Sequence, residues 1–200
     1  MKMKEVERKL MNLPLGVYKL SEIIDIIIQC DQYQKEGLFN NSPYGRIVNK
    51  AFNDEFYKEI LQAKHPVTGE LIDIQDVYVD ITYQRLLRLK KIIKHLKRKN
   101  SHGKRLYYSK MLAGSIDFAI RPDNRVFVWD GFRRAVLALL NGVRYVQASI
   151  DTEGLDNNLS DKQCNAREAE AFKIRNGDNE NMSKAELYKA GLRFNDDKAM

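Results

Sequence analysis

Cysteine is scarce: Cys30 and Cys164 are the two in 200 residues. They lie far apart in sequence and have no neighbours of metal-ligand type. That excludes a disulfide scaffold and predicts free thiols in a reducing compartment. The three histidines, His65, His95 and His102, show no metal spacing, and neither HExxH nor CxxC occurs. A zinc site is therefore not expected. No GxxxxGK[ST] pattern occurs either, so any nucleotide site is not a P-loop. Long apolar runs are also missing. Stretches such as Ile26-Ile27-Ile28 and Val136 to Leu140 fall far short of the ~20 residues a membrane span needs. Met1-Lys2-Met3-Lys4-Glu5-Val6-Glu7-Arg8 has no apolar segment behind its charges, which predicts no signal peptide. A cytoplasmic protein with no membrane partner is the expectation.

What is present fits one folded unit with an extra subdomain. The chain is 44% hydrophobic and 30% charged, unlike a disordered chain. It carries 34 basic against 27 acidic residues, a formal net charge of +7. Ten of the basic residues fall between Arg85 and Arg105, a window with no acid. The remaining 24 face all 27 acids, so the positive excess belongs to that segment alone.

The segment has helical periodicity. Leu86, Leu89, Ile93 and Leu96 recur at steps of three and four. Arg88, Lys91, Lys94 and Arg98 fall largely on the opposite side, and Lys97 joins them as a candidate contact. The pattern predicts a helix over about 83–99, fraying at the Asn, Ser and Gly of 100–103. One reading is a solvated helix face. The other is a surface that meets DNA phosphates, with binding that falls steeply with salt. A membrane-surface helix is the weakest option, because the apolar side lacks Trp and Phe.

Elsewhere, helices are predicted at 1–12, from a Ser21 cap to Cys30, at 46–63, at 132–140 and at 165–175. A last one opens at the capping box Ser183-Lys184-Ala185-Glu186. Strands are predicted over Leu71 to Ile81, within Leu106 to Ala119, at 125–129 and from Val143 to Ile150. Residues 151–163 are predicted to be a loop. The order implies an α/β (α+β) fold with a mixed sheet. It divides into a helical N-terminal extension (1–65), a core (66–151) and a helical tail (152–200).

The most informative stretch is Val126-Phe127-Val128-Trp129-Asp130-Gly131-Phe132-Arg133-Arg134-Ala135. A buried strand passes through Asp-Gly directly into a helix. Helix N-termini offer unpaired N–H groups and partial positive charge. Gly131 lets a phosphate approach the backbone of 131–133, Phe132 included. Arg133 and Arg134 oppose the helix dipole locally, and an anionic ligand resolves that conflict. The competing reading pairs both arginines with surface acids. Trp129 either stacks on a base or packs in the core. Asp80 either caps the next helix or joins Asp130 and Glu168 as a functional acid.

This turn resembles the ParB/sulfiredoxin superfamily, in which a G-x-[HR]-R turn cradles nucleotide phosphates. Val79-Asp80-Ile81-Thr82-Tyr83-Gln84-Arg85 resembles the D-x-x-Y-Q-R that opens the first core helix of ParB-like nuclease-type domains. Glu168-Ala169-Glu170-Ala171-Phe172 through Asn176, Ser183 and Glu186 is similar to a segment that follows the core in many phage and mobile-element members. The three motifs cover about 75–192. The resemblance implies a ParB/sulfiredoxin-like core in a protein of a bacterial or phage-infected cytoplasm. It implies a nucleotide triphosphate (ATP or CTP, with Mg²⁺) held by Gly131, Arg133 and Arg134. Gln84 and Arg85 would face the same pocket, and Asp130 and Arg134 would serve any chemistry. NTP hydrolysis, phosphoryl transfer and nuclease action are the implied activities, with DNA as partner and oligomers possible in the superfamily. A non-catalytic DNA- or protein-binding module on the same fold is the alternative. Two departures are plain: Phe132 stands where the DNA-segregation members carry Glu, and the turn lacks the cysteine that sulfiredoxin chemistry requires.

Overall fold

The computed structural model describes residues 1–31, 62–84, 87–96, 116–140 and 143–177. The predicted helices at 46–63 and after Ser183 lie outside these residues. Eleven elements follow along the described chain: α1 (Met3–Met11), β1 (Val17–Lys19), α2 (Leu20–Ile27), β2 (Tyr78–Asp80), α3 (Leu89–Leu96), β3 (Ile116–Ile120), β4 (Val126–Asp130), α4 (Phe132–Leu140), β5 (Ala148–Asp151), α5 (Glu153–Asp156) and α6 (Asp161–Gly177). The fold class is α/β. Its sheet has the order β1-β2-β4-β3-β5 and is mixed. β1–β2 and β3–β4 are antiparallel; β2–β4 and β3–β5 are parallel.

Alternation along β4 assigns the two faces. Val128 joins a large core with Ile116, Phe118 and Val79, and α1, α2, α3 and α4 cover it. Phe127 points the other way, where Tyr78 stacks on it at 5.5 Å. α6 lies on that second face and brings Ala169 and Phe172 against Tyr83.

The sequence pattern missed β1, whose three residues form one edge of the sheet. Because β1 runs straight into α2, Lys19 and not Ser21 opens that helix. Its N–H donates to the Glu22 carboxylate at 2.6 Å. The predicted strand over Leu71 to Ile81 is shorter too. Asp73 closes a turn by accepting the Gln75 N–H at 3.1 Å, so only Tyr78–Asp80 enters the sheet. The spacing carried that break: buried Ile72 and Ile74 differ by two, but Val77 follows after three. α6 begins at Asp161, earlier than expected, because Ser160 and Gln163 form a capping pair. The Ser160 N–H donates to Gln163 Oε1 at 2.9 Å, and the Gln163 N–H donates to Ser160 Oγ at 3.4 Å.

The basic helix starts later than its periodicity predicts. Residues 81–84 form a turn, and α3 begins at Leu89, whose N–H donates to Glu7 Oε1 of α1 at 3.0 Å. A carboxylate there satisfies an orphan donor and suits the dipole. The two-sided pattern holds. Leu89, Ile92 and Ile93 are buried, while Arg88, Lys90, Lys91 and Lys94 are exposed.

Candidate functional site

β2 and β4 run parallel as neighbours, so their carboxyl ends meet at one edge of the sheet. The Asp130-Gly131 turn leaves β4 at that edge, and the Asp80–Gln84 turn leaves β2 beside it. Gly131 has φ +89°, a conformation that costs a side-chain-bearing residue strain. That glycine lets the chain reverse from the strand directly into α4, and its carbonyl accepts the Ala135 N–H at 2.9 Å. Phe132 is buried in the large core, so only its backbone faces the turn's chemistry.

A bulge aims Asp130. β3 advances one residue from Asp117 to Phe118, while β4 steps two, from Asp130 to Val128. Trp129 is the extra residue. Without it, Asp130 would share the buried side of Val128. With it, Asp130 lies on Asp117's side of the sheet, under α6.

Two arginines meet Asp130 and Asp117 there. Arg134 Nη2 donates to Asp130 Oδ2 at 3.1 Å. Arg175 Nη1, from α6, donates to the same oxygen at 3.3 Å and also to Asp117. The Arg175 guanidinium stands 4.8 Å from the centre of the Trp129 ring. Trp129 is half-buried and stacks on an arginine. Gln84 is buried and donates its carboxamide N–H to the carbonyls of Val128 at 3.1 Å and Trp129 at 2.8 Å. It thus fastens the β2 turn to the end of β4, and its amide nitrogen is committed to that task.

A second polar cluster lies beneath. Arg121 forks onto Glu168 (Nε to Oε1 3.0 Å, Nη2 to Oε2 2.8 Å) and lies 3.6 Å from the centre of the Phe127 ring. Tyr83 donates its hydroxyl to Glu168 Oε2 at 2.9 Å. Asp80 accepts the Thr82 N–H at 3.0 Å and a hydrogen bond from Asn165. It therefore braces the turn after β2 and does not cap α3. Burial works to lower the Arg121 pKa, but the bonds and charge of Glu168 outweigh it and hold the guanidinium charged. Burial, with the Glu168 charge beside it, pushes the Tyr83 hydroxyl well above the ordinary range. Burial works against the Glu168 charge, while the Arg121 fork and the Tyr83 hydroxyl work for it.

Of the expected site residues, the structure brings Asp130, Gly131, Phe132, Arg133, Arg134 and Gln84 to one edge. Arg85, Lys97 and Arg98 lie outside the described residues. Arg88, Lys91 and Lys94 form the exposed side of α3. Asp117, Arg121 and Arg175 were not singled out by sequence. An Asp at a buried strand position and an Arg between a strand and Pro-Asp were the available signals for the first two. Nothing local marks Arg175, whose position depends on how α6 crosses the sheet.

Among the described residues, no group of three or more His, Cys, Asp or Glu is placed to hold a metal ion. Asp117 and Asp130, the carboxylates at the turn, are both engaged by arginines and so do not fit a metal held by protein ligands alone. No described helix is long and apolar enough to cross a membrane. No family model, curated protein or solved structure matches the chain.

Proposed function

We propose that the protein is a ParB/sulfiredoxin-like nucleotide-binding protein that works with DNA, and that the Gly131 turn receives the nucleotide's phosphates. The observation that carries this reading is the Gly131 reversal at φ +89°. It opens α4 at the carboxyl end of β4, with Arg133 and Arg134 in the helix's first turn. Backbone N–H groups at a helix start and adjacent guanidiniums are suited to a phosphate. A ligand at the carboxyl ends of neighbouring parallel strands is also where open α/β sheets bind. ATP or CTP fits the donor set. Mg²⁺ would come with the phosphates, because the acids at the turn are already paired. The exposed basic side of α3 is the surface for DNA.

A specific observation favours the non-catalytic form of this reading. Asp130, the acid nearest the turn, is held by two arginines. Phe132, in the position of the segregation proteins' Glu, is buried in the core. The turn then binds, and the nucleotide acts as a ligand that sets the protein's state on DNA.

The test is titration of the full chain with ATP and with CTP in Mg²⁺. Binding of one of them by wild type, weakened about tenfold or more in Arg134→Ala, is the expected result. No binding of either nucleotide, or equal binding by the variant, overturns it. Turnover assays on the same samples separate the two forms.

A further inference from the structure

Arg175 comes from α6, 45 residues beyond Asp130, and meets Arg134 on a single oxygen. Asp130 Oδ2 accepts from Arg134 Nη2 at 3.1 Å and from Arg175 Nη1 at 3.3 Å. One carboxylate thus holds two guanidiniums side by side at the edge where Gly131 opens α4. Neither arginine is used up by this arrangement. A guanidinium carries five N–H donors. Arg134 is bonded through Nη2 alone, and Arg175 through Nη1 alone, among the described residues. Their side chains are 29% and 47% exposed, so part of each is open to solvent.

Asp117 and Asp130 balance Arg134 and Arg175, and the start of α4 adds the partial positive charge of a helix N-terminus at the same turn. The Trp129 ring lies 4.8 Å from the Arg175 guanidinium, a cation–π contact that limits its motion. A planar guanidinium held against a ring and by the Asp117 and Asp130 carboxylates is pre-organised for bidentate contact with phosphate oxygens.

We infer that Arg134 and Arg175 form a two-guanidinium clamp for a polyphosphate. Asp130 is its positioning residue, and Trp129 is the platform under Arg175. The inference rests on the phosphate-binding reading of the Gly131 turn and extends it to α6. Closing the clamp would also tie α6 to the ligand, so the ligand would stiffen the link between the tail helix and the sheet.

The test uses the full chain, titrated with inorganic tripolyphosphate and separately with ATP and CTP. The variants are Arg134→Ala, Arg175→Gln and Arg175→Lys. Arg175→Lys keeps a positive charge for the buried Asp117 and removes the fork, so it should fold even if Arg175→Gln does not. Circular dichroism melts confirm folding. The expected result is tripolyphosphate binding by wild type, weakened about tenfold by Arg134→Ala and severalfold or more by Arg175→Lys at unchanged helix content. A double variant that loses less than the two single losses combined shows that the arginines act on one ligand. If tripolyphosphate or a nucleotide binds and Arg134→Ala weakens it but Arg175→Lys does not, the clamp is overturned and the turn reading stands. If tripolyphosphate binds through both arginines but no nucleotide binds, the clamp stands and the nucleotide reading fails. If nothing binds to wild type, both fail.

Discussion

Arg121 is 2% exposed, with its guanidinium forked onto Glu168 and lying over Phe127. Removing one partner of such a buried pair leaves the other charge without compensation. Arg121→Ala should therefore lower the unfolding free energy by about 3–5 kcal/mol, read from urea denaturation. A loss under about 1 kcal/mol would show that the pair is not buried as described. Tyr83 provides a pH-dependent counterpart. Its folded pKa lies well above the unfolded value near 10, so the native state keeps a proton that the unfolded chain releases. Its contribution is complete below that value and fades as pH rises beyond it. Wild type should lose stability more steeply than Tyr83→Phe between about pH 10 and 11, read as urea midpoints on both proteins. Parallel pH curves would refute the buried hydroxyl. Neither residue's duty was legible in the sequence. Tyr83 and Glu168 belong to two separate stretches with a family resemblance, and neither stretch names the other as a partner. Their meeting spans 85 positions of chain, and no local pattern encodes it.

At the scale of elements, local chemistry was legible where it was self-contained. β4, the Asp-Gly turn and α4 follow from β-propensity, a glycine at positive φ and a Leu-rich period, and they stand within a residue of their predicted bounds. The two faces of α3 followed from spacing. Its start did not, because Glu7 of a distant helix caps it and the Tyr83-Gln84 pair is drawn into the turn instead. β1 was missed because three residues are too few to establish alternation. The basic side of α3 carries a prediction of its own. Charge reversal at Lys91 and Lys94 should weaken DNA binding and reduce the slope of log affinity against log salt. The slope should fall by about 0.9 for each phosphate the variant no longer neutralises. Binding measured by fluorescence anisotropy at several salt concentrations reads both quantities. Unchanged affinity with an unchanged slope would remove α3 from the interface.

For the whole molecule, the net charge of +7 separates into a slightly acidic protein and one basic segment. Gln84, the residue before that segment, is bonded to the end of β4 next to the Gly131 turn. The N-terminal helices are part of the same core: Val6, Leu10, Ile23 and Ile27 pack in one cluster with Val136 and Leu139 of α4. The proposed nucleotide site, the tail helix and the basic helix are thus joined through one sheet. A ligand on Arg134 and Arg175 has a short physical route to the basic side of α3, the proposed surface for DNA. The nucleotide reading and the arginine clamp both depend on phosphate binding at the Gly131 turn. A crystal structure of the full chain soaked with tripolyphosphate reads that directly. Phosphate density against the 131–133 backbone, touching Arg134 and Arg175, is the expected result. A soaked crystal with an accessible but empty turn, or with phosphate only elsewhere, would contradict it.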